Sequence, residues 1–179
     1  MIKRFLIFSF SLFLTTSIVQ GYEWYFSFEA GHCLPLNSFD ALVNDDLVYG
    51  LSVDYMPNFI PGVRVVYNHQ KFPVNTEKLG SSIKIDSLGV WAVMDYSFPE
   101  YFRFFGVVGP SYFSSQGTQK MNDWSRSSVI GWSAGAGFDF EPIPGWGFRF
   151  QSVYSSANFG RGSSRASWVN STIGMSFRF

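Results

Sequence analysis

The chain is 179 residues long, 20% aromatic and only 15% charged, with 13 basic and 13 acidic residues in balance. That length points to one domain, and the charge balance excludes a nucleic-acid-binding surface. A single cysteine excludes an internal disulfide, two histidines not spaced as ligands leave no metal site, and no cofactor motif is present.

Residues 1–21 read as a secretory signal peptide: two cations, Lys3 and Arg4, then a short apolar core, then Val19 and Gly21 around a cleavage site. The apolar run falls short of the ~20 residues of a membrane-spanning helix. Its removal leaves a mature domain, 22–179, with 11 cations against 13 acids.

Eight stretches of the mature chain alternate apolar and polar residues with the period of two that marks a strand with unlike faces. The first, 22–31, sets Tyr22, Trp24, Phe26, Phe28 and Ala30 against Glu23, Tyr25, Ser27, Glu29 and Gly31. The second, 46–56, sets Leu47, Tyr49, Leu51, Val53 and Tyr55 against Gly50, Ser52 and Asp54. The third, 62–70, sets Val63, Val65 and Tyr67 against Arg64, Val66 and Asn68. The fourth, 85–98, sets Leu88, Val90, Ala92, Met94, Tyr96 and Phe98 against Gly89, Trp91, Asp95 and Ser97.

In the fifth, 102–113, Phe104-Phe105 and Val107-Val108 blur the alternation; placing Arg103 inward sends Phe102, Phe104, Val108 and Tyr112 outward. The sixth, 129–140, sets Ile130, Trp132, Phe138 and Phe140 against Gly131, Ser133, Gly135, Gly137 and Asp139. The seventh, 146–155, sets Trp146, Phe148, Phe150 and Tyr154 against Gly147, Arg149, Gln151 and Ser155. The eighth, 168–179, closes the chain with Val169, Ile173, Met175, Phe177 and Phe179 against Asn170, Thr172, Gly174, Ser176 and Arg178, with Ser171 as a polar break on the apolar face.

Short proline-bearing turns at 55–59, 98–101 and 141–145 alternate with longer polar loops at 32–45, 69–84, 114–128 and 156–167. Strands of nine to fourteen residues joined this way predict an all-β fold, an eight-stranded antiparallel up-and-down transmembrane β-barrel. A soluble sandwich or lipocalin-like barrel also alternates. The polar set argues against it: Glu23, Glu29, Asp54, Asp95 and Asp139 share a face with Arg64, Arg103, Arg149 and Arg178, none of these nine is lysine, and their companions are small. Such a set suits an eight-stranded interior just wide enough to be filled by side chains. Five acids nearly balanced by four arginines predict a network of ion pairs rather than a pore.

These endings and patterns resemble the small outer-membrane barrels of the OmpA transmembrane domain, OmpX and opacity-protein group. The resemblance implies a bacterial outer-membrane location after export. It implies outer-membrane lipid as surroundings, a monomeric state, and assembly machinery that reads the terminal Phe177 and Phe179. It also implies a role in envelope integrity, adhesion or surface interaction through four loops, whose ligand the sequence does not name. No activity is expected. The alternative is a lipid A-modifying enzyme of the palmitoyltransferase type, for which His32 and the Asp86-Ser87 pair match the residue types; the deacylase type would need a histidine two residues before Ser155, where Val153 stands. Asn170-Ser-Thr172 matches a glycosylation sequon but lies in the closing strand. Loop cations Arg161 and Arg165 could face lipopolysaccharide phosphates, while loop one carries Asp40 and Asp45.

Overall fold

The computed structural model describes residues 22–40, 43–57, 61–74, 82–98, 101–117, 126–159 and 165–179. The expected signal peptide and Arg161 lie outside the described residues. Eight strands follow one another: β1 Tyr22–Leu36, β2 Asp46–Pro57, β3 Gly62–Pro73, β4 Ser82–Phe98, β5 Phe102–Gly117, β6 Arg126–Ile143, β7 Trp146–Asn158 and β8 Arg165–Arg178. Each pairs antiparallel with the next, and β1 pairs with β8, so the sheet closes on itself and has no edge. At the seam, Phe179 and Trp24 exchange backbone hydrogen bonds of 2.9 and 3.1 Å.

Alternation sorts the side chains as the sequence predicts. Phe28, Leu88 and Ile173 are half exposed on the outer wall, whereas Asp54, Arg64, Asp139 and Arg149 are fully buried within. The blurred register of β5 resolves with Arg103, Phe105 and Val107 buried and Phe104, Val108 and Tyr112 exposed. One member of each doubled pair therefore faces inward. Phe105 has room because its neighbour across β6 is Gly137, where a Cβ would lie 2.6 Å from the ring.

The strands run further than the sequence suggested, mostly toward the long-loop end. There the alternation continues but its chemistry reverses. Cys33, Phe72, Ile83 and Ile85 point inward and are buried, while His32, Lys71, Lys84 and Asp86 point outward. A reading that follows outward apolar residues stops where the sign changes, although the strand does not. At the other end, 141–143 belong to β6 rather than to a turn, with a register shift between Phe140 and Ile143. The chain reverses at Pro144-Gly145, where proline supplies the fixed φ of the first central position and Gly145 takes a φ of +82°, the type II arrangement.

Candidate functional site: the barrel interior

The middle of the interior is an ion-pair network built on cross-strand neighbours. Asp54 faces Arg64 on β3, Arg103 faces Asp139 on β6, and Arg149 on β7 faces the same Asp139. Asp54 is the hub. Arg64 grips it with two bonds of 2.7 Å, Nε to Oδ1 and Nη2 to Oδ2, and Arg149 Nη2 and Arg103 Nη2 reach Oδ2 at 3.0 and 3.3 Å. Arg149 also forks onto Asp139, at 2.7 and 3.0 Å, and donates to Ser27 and Ser52. Paired planar guanidinium–carboxylate bonds are the strongest of their kind and fix geometry as well as charge.

Aromatic faces take the remaining guanidinium surface. Phe105 lies under Arg64, Arg149 and Arg103, with centroid distances of 4.5, 5.1 and 5.5 Å, and Arg103 lies 3.9 Å above Tyr25. Glu29 is held by neutral donors: Ser27 at 2.9 Å, Thr172 at 2.7 Å and the Gln151 amide, whose carbonyl accepts from Arg64. Toward the turn end, Asp95 approaches Arg103 at 3.3 Å, and Arg178 bridges Glu23 at 3.3 Å and Glu141 at 3.1 Å. Each of the nine charged residues singled out from the sequence lies within 4.0 Å of an opposite charge, six of them buried and Glu23, Asp95 and Arg178 partly exposed at the turn end.

Sequence reasoning misses Glu141, because the prolines that follow it read as a turn. It sets Tyr25 on the inner face without showing that Tyr25 and Phe105 lie against the guanidinium groups. Glu141 stands two residues after Asp139, so parity alone places it inward.

Nearer the loop end, hydroxyls line the wall: Trp91 Nε1 donates to Ser111 at 2.9 Å, and Ser111, Ser133 and Ser155 continue the line at 3.0 and 2.9 Å across β4 to β7. At the loop end itself the interior is apolar. Cys33, Phe39, Val43, Phe72, Phe113 and Trp168 form the heart of a buried cluster. Loop one contributes Phe39 and Val43, and a bridge between Val43 and Val74 ties it to loop two. Phe159 joins from beyond β7. Rings of Phe39 and Phe72, and of Phe113 and Trp168, meet edge-on with centroids 5.1 Å apart. The interior therefore carries two closures in series, one ionic and one apolar.

No protein-family model matches the sequence, and no curated protein is similar to it at a significant level. Solved structures do resemble the fold. Neisserial surface protein A superposes with a TM-score of 0.63 at 15% identity, over 87% of this chain and 97% of that one. Ail, the attachment invasion locus protein of Yersinia pestis, solved with the heparin analogue sucrose octasulfate, gives 0.60 at 17% identity over 89% and 100%. The outer membrane protein OprG of Pseudomonas aeruginosa gives 0.58 at 15% over 89% and 96%. The fold is that of the small eight-stranded outer-membrane barrels.

Within this outer-membrane barrel fold the residues weighed for catalysis do not converge. His32 points outward from β1 and meets Asp45 at 3.1 Å. Asp86 points outward from β4 and is held by His69 at 2.7 Å and Tyr67 at 2.8 Å, while its neighbour Ser87 is buried inside. Consecutive strand residues face opposite sides, so one base cannot serve both members of that pair. Among the described residues no group of side chains could hold a metal ion. Cys33 is a buried, unpaired thiol in the apolar cluster. Asn170 of the sequon is buried inside the barrel, out of reach of a glycosylating enzyme.

Proposed function

We propose that the chain is a bacterial outer-membrane protein, exported with loss of residues 1–21, that acts as a closed scaffold presenting four loops for envelope integrity, adhesion or surface interaction. The observation that carries this reading is the inversion of a soluble protein's surface. Phe28, Leu51, Val90, Phe104, Phe148 and Ile173 are 42–52% exposed on the outer wall, while arginines and aspartates fill the inside. Water would penalise that wall at roughly 25 cal/mol per Å² of apolar surface, and lipid removes the penalty. Outer-membrane lipid is then the main partner, and a sheet with no open edge supports a monomer in that no strand is left for a second copy to pair with. The ionic and apolar closures support a non-conducting body. The divergence of His32, Asp86 and Ser87 supports a non-catalytic one.

Fractionation tests the placement. The protein is expected in the outer membrane, with a gel mobility that shifts on boiling, and recovery from the soluble periplasm would overturn the reading. Protease added to whole cells should cut the loops and leave the barrel.

Assembly is proposed to use the terminal residues. Phe177 packs on Trp146 with ring centroids 4.5 Å apart, whereas Phe179 is 47% exposed. Phe179 ends the chain at the margin of the apolar wall, where a charge facing lipid costs about 0–1 kcal/mol, so Phe179→Asp should leave the stability of refolded protein within about 1 kcal/mol. The same change should sharply reduce the folded, heat-modifiable fraction in cells. A matching loss from Gln116→Asp, at the exposed loop end of β5, would remove the special role of the terminus.

A further inference from the structure

On the outer wall, where β6, β7 and β8 meet near the long-loop end, lies a cleft of about 320 Å³ lined by Ile130, Trp132, Ser156, Asn158 and Arg165. Its two halves differ in chemistry. The half toward the apolar belt is Ile130, 74% exposed, and Trp132, whose ring leans on Tyr154 at 5.2 Å. The half toward the loops is polar and already organised. Trp132, Ser156 and Ser167 stand side by side across the three strands. Tyr154 donates its hydroxyl to Ser167 at 3.0 Å, Ser167 and Ser156 share a bond of 3.2 Å, and Arg165 Nε donates to Ser156 at 2.6 Å. Both serines are 2% exposed. The network holds the Arg165 guanidinium by one edge, and no carboxylate among the described residues pairs with it. Every interior arginine, by contrast, is matched to acids.

We propose that this cleft binds the phosphate headgroup of an outer-leaflet lipid. The free edge of Arg165 takes two phosphate oxygens, and Ile130 and Trp132 cover the upper part of the chains. Three features favour that occupant. A guanidinium fork matches phosphate geometry, an indole suits the boundary between hydrocarbon and headgroup, and the cleft changes from apolar to cationic in the order that a lipid does. The assignment rests on the outer-membrane reading above.

The test uses the full mature chain refolded in phosphatidylcholine vesicles that carry a minor fraction of chain-brominated phosphatidic acid or, separately, chain-brominated phosphatidylcholine. Bromine quenches indole fluorescence on contact, and the difference between wild type and Trp132→Phe isolates the signal of Trp132. Brominated phosphatidic acid is expected to quench Trp132 as though enriched about fivefold, the effect of one arginine near an anionic lipid. Arg165→Gln, which can still bond Ser156, should abolish the excess, and so should Arg165→Ala. Arg165→Lys should keep part of it, and Lys71→Ala, on the far wall, all of it. Equal quenching by the two lipids, or an excess that survives Arg165→Gln, overturns the proposal. Inorganic phosphate in the buffer is expected to leave the excess intact; its loss would show that the site takes free phosphate and overturn the lipid assignment. The heat-modifiable band from the same vesicles separates the two readings. Its absence in wild type defeats the membrane placement, whereas its presence with equal quenching defeats this site alone.

Discussion

Asp54→Ala is expected to destabilise the barrel by roughly 3–5 kcal/mol or more, the effect of removing one partner from a buried ion pair. The size follows from what is left behind. Arg64, Arg149 and Arg103 all donate to this one carboxylate, and the first two are fully buried. Without it Arg64 keeps only the Gln151 carbonyl and the face of Phe105, and an unpaired charge in a packed interior has no water to replace its partner. Arg149→Ala should fall in the same range, because Asp139 would lose its shortest partner. Arg165→Ala on the outer wall should change stability by less than about 1 kcal/mol. Equilibrium urea unfolding in detergent micelles decides the matter. Coincident midpoints for Asp54→Ala and Arg165→Ala would mean that water reaches the interior.

The second large effect concerns conductance and needs two substitutions. Arg149→Ala opens space in the ionic layer, but ions would still meet the apolar cluster around Trp168, Phe113 and Phe39. Trp168→Ala opens the cluster at about 3–5 kcal/mol of stability, but the arginine layer then still blocks the way. Each single variant is expected to remain silent in planar bilayers, and the double variant to show discrete openings. A conducting Arg149→Ala protein would show that the apolar layer does not seal. A silent double variant that retains the heat-modifiable band would place a further barrier elsewhere in the interior.

Much of this arrangement was legible in the sequence, for a definite reason. A strand offers two faces only, so one inward arginine fixes the facing of every residue on its strand. Arg103 settled β5 in this way despite Phe104-Phe105, and parity set Arg149 and Asp139 on the same inner side before any pairing was known. Partner choice was not legible. The convergence of three arginines on Asp54 depends on barrel curvature, which brings β2, β3, β5 and β7 to one point. The apolar closure was hidden for another reason. Its members, among them Cys33, Ile83 and Trp168, carry inward parity, and the rule that served the middle of the barrel, apolar outside and polar inside, gives the wrong chemistry there. Glu141 was lost to the proline that follows it, which reads as a turn although the ladder continues through it.

The reversal of sign along the strands guards against an error that alternation cannot detect. Sliding one strand past its neighbour by a single residue turns every side chain to the wrong face and is rejected at once. A slide of two residues restores the facing and would pass that test in a barrel with one uniform pattern. Here it would carry Phe72 down toward the place of Gln70 and Arg64 down toward that of Gly62. A ring would enter the polar layer, and a guanidinium would leave its carboxylate. Even-numbered slips are thus penalised as well as odd ones. On the proposed membrane placement, the level at which the pattern inverts also marks a waterline on the wall, so one feature of the sequence would set both the alignment of the strands and the depth at which the barrel floats.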